Sequence, residues 1–435
     1  MLNKIFIILF FLIFCANANA QVVIEDEETE TYLYELIKPI YKTAGIPFDK
    51  SKIHILLDDN INAFVTDGSN LFIHTGLITR AKNSNELSGV FAHEAGHIKA
   101  GHIFKQKIKD QEMQKVSLAS MILAGVAGAA SGSGEVAVAG IFGTQGALMG
   151  KYFEYRKEDE RSADNFALGI LKENNIPNED LLNFLTRLQQ DNQLQGITET
   201  SYYSTHPLTQ ERISFLENQK TTGEKKYDTR LKTIQAKLDA FVSKPSDAIK
   251  KYYNKNNYAT AIALFKGLKI DEAMKYVDAL IKQEPNNPYY HELKAQILFE
   301  TAKPKQSAIE YEKALKLLPT STYYKTYLAS SLIEGYDEKE KNQKAVELLK
   351  QANIENKTAS NFLLLARAYG KLNDNANALL ASAEYSLLLG RNKVAKKQAE
   401  QAKELSNNPV LILQADDIIG SIKDKEKPLR KNRRG

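Results

Sequence analysis

The sequence predicts a mainly α-helical chain in two parts: helices around a small β-sheet in the first half, and helical pairs stacked into a solenoid in the second. Three observations predict it. Apolar residues recur at helical spacing over Glu30 to Ala44 and again from Leu87 to Ala100. Between them lie three short strand-like runs, Ile53-His54-Ile55-Leu56-Leu57, Ala63-Phe64-Val65-Thr66 and Asn70-Leu71-Phe72-Ile73-His74. From Pro245 the composition shifts to Lys, Ala, Leu, Tyr and Asn, with Pro285 followed 34 residues on by Pro319.

With 435 residues, 43% of them hydrophobic, the chain can fill two or three ordinary cores, which excludes a disordered protein. Met1 to Ala20 has Lys4, an apolar run from Ile5 to Phe14, and Ala18 and Ala20 as small residues before Gln21. That is the pattern of a secretory signal cleaved after Ala20, and it predicts an exported protein. Cys15 is the sole cysteine, so cleavage would leave a mature chain that cannot form an intramolecular disulfide and depends on core packing. The net charge of +5 is slight but uneven. Glu25-Asp26-Glu27-Glu28 and the basic tail Lys425 to Arg434 read as solvated ends, the tail being suited to peripheral contact with a membrane surface. No nucleic-acid module is visible, and the tail lacks interleaved aromatics.

Tyr32, Leu33, Leu36, Ile37, Ile40 and Tyr41 give the first helix a buried face, with Pro39 as a kink and Gly45 near its end. Asp67-Gly68 joins the second and third strands as a hairpin. His54 and His74 lie in strands and read as structural. The helix through Leu87, Val90 and Phe91 then carries His93-Glu94-Ala95-Gly96-His97. Histidines four apart share a helical face, so both imidazoles can reach one tetrahedral cation, with Glu94 about a quarter turn away to accept a proton from water. Gly96 suits a close approach to another backbone. His102, five positions past His97, falls off that face and reads as a surface or hinge residue. Val116 to Met149, rich in Ala and Gly, reads as two small-residue helices or a cover beside the site.

Glu160 and Asp164 are one helical turn apart, on a helix buried through Ala163, Phe166 and Ala167. Glu160 can supply a third ligand, and Asp164 can accept the free N–H of a ligand histidine. With the motif at 93–97, the run Glu160-Arg161-Ser162-Ala163-Asp164 resembles the peptidase family that contains the HtpX-like membrane proteases and the CAAX prenyl proteases. The resemblance implies a gluzincin-type metallopeptidase domain, Zn2+ as cofactor, and an edge strand at Asn62-Ala63-Phe64 that holds extended substrate. Thr205-His206-Pro207 through Arg212 is similar to the family's His-Pro segment. By that likeness His206 approaches the metal as a removable fourth ligand, and Arg212 helps hold substrate or oxyanion.

In the second half, Ala261 and Ala273 match Ala295 and Ser307 one period later, which with the prolines is the pattern of tetratricopeptide repeats. A third unit has Ala329 and Ala345, with extra residues at Gly335 to Lys341. The fourth has Ala366, Tyr369 and Ala378, and a last helix has Ala395, Ala399 and Ala402 before Pro409. Their concave face is a natural dock for a protein partner, and His291 reads as packing or surface. The expected organisation is a signal peptide over 1–20, a metallopeptidase domain over 21–244, repeats over 245–424 and a basic tail over 425–435. An exported peptidase with repeats resembles a periplasmic branch of the family. That implies unfolded or misassembled outer-membrane proteins as substrates and docking to the barrel-assembly machinery. The alternative is a chaperone or adaptor whose metal site is dormant.

Overall fold

The computed structural model describes residues 22–105, 156–195, 202–224 and 228–426. The expected signal peptide over 1–20, the Ala- and Gly-rich stretch over 116–149 and the basic tail from 427 lie outside the described residues. The chain forms two compact units, dividing between Val242 and Ser243.

In the first unit, β1 (Val23–Ile24), β2 (Ile53–Leu56), β3 (Ala63–Thr66) and β4 (Asn70–His74) form one sheet in the order β1-β2-β4-β3. β3 and β4 are the hairpin expected from Asp67-Gly68, with Gly68 at φ 75° and Phe64 paired to Phe72. β2 runs parallel to β4, so β3 is left on an edge. Helices follow as α1 (Glu27–Ala44), α2 (Thr75–Arg80), α3 (Ser84–Lys99), α4 (156–173), α5 (Glu179–Gln195), the single turn α6 (Tyr202–Thr205), α7 (Gln210–Asn218) and α8 (Thr229–Val242). α1 is capped at Asp26 by the Thr29 N–H and stopped at Gly45, whose φ of 73° returns its own N–H to Tyr41 and Lys42. Tyr32, Leu33, Ile37, Ile40 and Tyr41 of α1 join Leu87, Val90 and Phe91 of α3 in one apolar core.

Beyond the exposed Glu25, the acidic opening is not solvated, contrary to the sequence reading. Asp26, Glu27 and Glu28 are buried. Lys237 on α8 bonds Asp26 and, at 3.1 Å, Glu28, while Lys50 bonds Glu27. Burying three carboxylates at a helix N-terminus is tolerable because the helix dipole and two ammonium groups face them.

The second unit is helical throughout its described residues. It comprises α9 (Pro245–Tyr252), α10 (Asn257–Lys266), α11 (Ile270–Gln283), α12 (Pro288–Glu300), α13 (Pro304–Leu317), α14 (Thr322–Gly335), α15 (Lys339–Glu355), α16 (Ala359–Lys371), α17 (Asn375–Leu388), α18 (Asn392–Glu404) and α19 (Pro409–Glu426). α12 and α14 start 34 residues apart and open successive antiparallel pairs. Ala261, Ala273, Ala295, Ser307, Ala329 and Ala345 are all fully buried, as small residues at helix crossings should be. The Ser307 hydroxyl donates to the Ala295 carbonyl at 2.8 Å, tying α13 to α12. His291 is buried packing, bonded to Glu310 at 2.7 Å and to the Pro285 carbonyl at 3.0 Å. One expectation is corrected. Pro409 does not follow the last helix; it opens the further 18-residue helix α19, since proline is well tolerated in a first turn.

Candidate active site

α3 is a core helix. Its Asn83 cap accepts the Glu86 N–H at 2.9 Å, and every residue from Ser84 to Gly96 is buried. The two histidines bring their Nε2 atoms to within 3.1 Å of each other. α4 crosses at that point, because Gly96 leaves room: a Cβ there would stand 2.5 Å from the Ala163 carbonyl oxygen. The crossing delivers Glu160, with Oε2 3.2 Å from His93 Nε2 and Oε1 3.3 Å from His97 Nε2. From the loop before α7, His206 places Nδ1 3.1 Å from Glu160 Oε1 and 3.3 Å from His93 Nε2.

These spacings are those of a coordination shell. Ligand atoms about 2.0–2.1 Å from a central ion at tetrahedral corners would lie about 3.3–3.4 Å apart. Two imidazole nitrogens that each aim a lone pair at the other gain nothing without a cation between them. Ligand atoms of His93, His97, Glu160 and His206 all lie within 4.8 Å of one another, so the donor set fits one metal ion.

The surrounding groups are ordered by charge. Asp164 accepts the His93 Nδ1–H at 2.8 Å, which leaves His93 Nε2 for the cluster. Arg212 clamps Asp164 through Nε at 2.7 Å and Nη2 at 2.9 Å, and its Nη1 reaches Glu160 at 2.9 Å and the Pro207 carbonyl at 3.0 Å. Glu94 lies beside the cluster, fully buried. Its Oε1 has no hydrogen-bond partner and stands 3.4 Å from the equally unpartnered His206 Nε2. Burial pushes the Glu94 carboxyl up to about 7 against the pull of His97 and His93, while the Val65 backbone N–H of β3 bonds it. Burial also works against charge on Glu160, but His206, His93 and His97 hold it well below the usual carboxylate range. Burial alone would depress His93; its hydrogen bonds to the Asp164 and Glu160 carboxylates outweigh that and lift the imidazole to about 9.

Asn62 and Ala63 are buried, and Phe64 is half-buried, stacked on Phe72 at 5.1 Å. The Ile61 carbonyl accepts the Tyr202 N–H at 2.9 Å, and Asn62 Oδ1 accepts the Thr205 hydroxyl at 3.1 Å. The segment bearing His206 is therefore fastened to the start of β3. His102 requires a correction: it is buried, with Nδ1 3.0 Å from His97 Nδ1. His54 and His74 lie in the sheet, away from the four clustered ligands.

Residues 27–220 match the family described as Peptidase family M48. This part of the chain is an M48 peptidase domain. The M48 domain makes the protein a metallopeptidase, and its described His/Glu cluster fits the metal ion that such an enzyme uses. Similarity extends beyond the domain. The Beta-barrel assembly-enhancing protease of Escherichia coli (strain K12) is 26% identical over 370 residues, covering 79% of this chain and 72% of that protein. Metalloprotease YcaL of the same strain is 26% identical over 171 residues, covering 39% of this chain and 62% of its own. A crystal structure of yeast Tom70 aligns with 91% of this chain and 72% of its own, at 13% identity and a TM-score of 0.30.

Proposed function

We propose that the protein is a periplasmic zinc endopeptidase that clears misfolded or stalled outer-membrane proteins. One observation carries the reading: four ligand donors at coordination spacing, three buried and His97 half-buried, with one oxygen of a buried carboxylate, Glu94 Oε1, left without a partner beside them. Two imidazoles and a carboxylate are a zinc hydrolase's ligand set. The substrate class is supported by the relatives named for enhancing β-barrel assembly. On this reading the signal over 1–20 exports the chain, the domain over 21–244 cleaves, and the repeats over 245–424 dock substrate or the barrel-assembly machinery.

Zinc held by His93, His97 and Glu160 would lower the pKa of water and polarise the scissile carbonyl. Glu94 takes the water's proton and returns it to the leaving amine. Asp164 fixes the His93 tautomer, and Arg212 keeps Asp164 and Glu160 ionised and in place. Since its donors are spent on those two carboxylates and on Pro207, Arg212 serves as a clamp in this state. The edge strand at Asn62, Ala63 and Phe64 offers backbone to an extended peptide, with Glu94 bonded to the same strand.

His206 would occupy the fourth position of a metal held by the other three, a position that a catalytic site must leave open. We read it as a latch, and the same observation favours the second reading, a chaperone or adaptor with a dormant site. His206→Ala separates them. The latch predicts that hydrolysis of a denatured protein rises by about tenfold or more, as release from a mostly closed state requires. Unchanged or lower activity with metal retained would count against it, and wild-type function in cells surviving Glu94→Gln but not removal of the repeats would favour the adaptor.

A further inference from the structure

We propose that His102 is a positioning residue: it accepts the His97 Nδ1–H and so aims the His97 Nε2 lone pair at the metal. This rests on the metal-site reading above. A histidine that binds metal through Nε2 must carry its proton on Nδ1, and where that N–H is turned into the protein it needs an acceptor. For His93 the acceptor is Asp164. For His97 the group within reach is His102, whose Nδ1 stands 3.0 Å from His97 Nδ1. Two nitrogens at that distance need one donor and one acceptor. With His97 donating, His102 carries its own proton on Nε2, and Asp159 Oδ1 lies 3.4 Å from that atom. The neighbour of Asp159 in sequence is the ligand Glu160, so the chain His97–His102–Asp159 links two ligand-bearing segments.

The backbone is built to return His102 to this place. α3 ends at Lys99, and Gly101 takes φ +69°, a left-handed turn open to glycine. His102 thereby folds back alongside His97 and is 5% exposed. A neutral acceptor also suits the charge of the site. Glu94, Glu160 and Asp164, set against Arg212 and a divalent cation, balance to zero; a carboxylate behind His97 would leave one buried negative charge uncompensated.

The test is zinc affinity of the purified full-length protein, read by competition with a chromogenic chelator, with circular dichroism as the check on folding. His102→Phe, which keeps the ring and removes the acceptor, is expected to weaken zinc binding about 10–100-fold. His102→Asn, whose Oδ1 can stand where Nδ1 stood, should stay within a few-fold of wild type. Asp159→Ala, at a partly exposed position, should weaken binding in the same direction by less. Wild-type affinity in His102→Phe, or an Asn variant as weak as the Phe variant, overturns the assignment. Should the Phe variant not fold, unchanged affinity in Asp159→Ala does so. A wild-type protein that binds no zinc would instead sink the metal reading, and this proposal with it.

Discussion

Glu94→Gln is expected to lower the rate of peptide hydrolysis by about 10²–10⁴-fold, the usual worth of a positioned general base, while leaving zinc affinity almost unchanged. The separation follows from geometry. Glu94 is outside the set of clustered ligand atoms, yet its Oε1 is buried with no hydrogen-bond partner. A carboxylate oxygen left without a partner in a core is costly to stability, so its presence asks for a use. Burial raises it to about 7, where it can take a proton at neutral pH. Glutamine keeps the shape and the acceptor for the Val65 N–H but cannot take the proton. The measurement is cleavage of a denatured protein by the His206→Ala variant with and without Glu94→Gln. Full activity in the double variant would place the base elsewhere.

Arg212→Met is expected to cost about 3–5 kcal/mol of folding stability in the metal-stripped protein, because it strands Asp164 and Glu160 as buried charges. Arg212 is 3% exposed and spends three nitrogens on these carboxylates and on Pro207, so water cannot take over its role. The loss also has a pH signature. Burial would raise the Asp164 carboxyl, but Arg212 and His93 hold it below its ordinary value. In the wild type this contributes stability above the unfolded pKa of about 4, lost as pH falls through the folded value. Without the guanidinium, burial prevails and Asp164 binds its proton more readily when folded, so the gap between the proteins narrows on acidification. Urea unfolding at pH 7 and pH 5 reads both effects. Equal midpoints at pH 7 would show that Arg212 is no clamp.

What the sequence could and could not reveal has physical reasons. His93, Glu94 and His97 were legible because one helix sets their spacing, and Glu160 with Asp164 because a second helix sets theirs. That the two helices meet depends on a crossing at Gly96 and Ala163, which the glycine hinted at. His102 was misread because helical arithmetic was carried past Lys99, where the helix ends and Gly101 turns the chain back. The acidic opening looked solvated because Lys237, which neutralises it, lies on a helix 209 residues beyond Glu28 in the chain. In the first three repeat units the small residues announced the crossings, whereas Ala366 and Ala378 of the fourth are only partly buried. α19 escaped notice because Pro409 was read as a terminator and not as the first turn of a new helix.

X-ray absorption at the zinc edge, on protein purified without chelators, bears most directly on the metal cluster. The account predicts one zinc per chain with about four nitrogen or oxygen neighbours at about 2.0–2.1 Å and the outer-shell scattering of several imidazoles, one of them lost in His206→Ala. A protein without stoichiometric metal, or a shell of six oxygens with no imidazole signature, would contradict it.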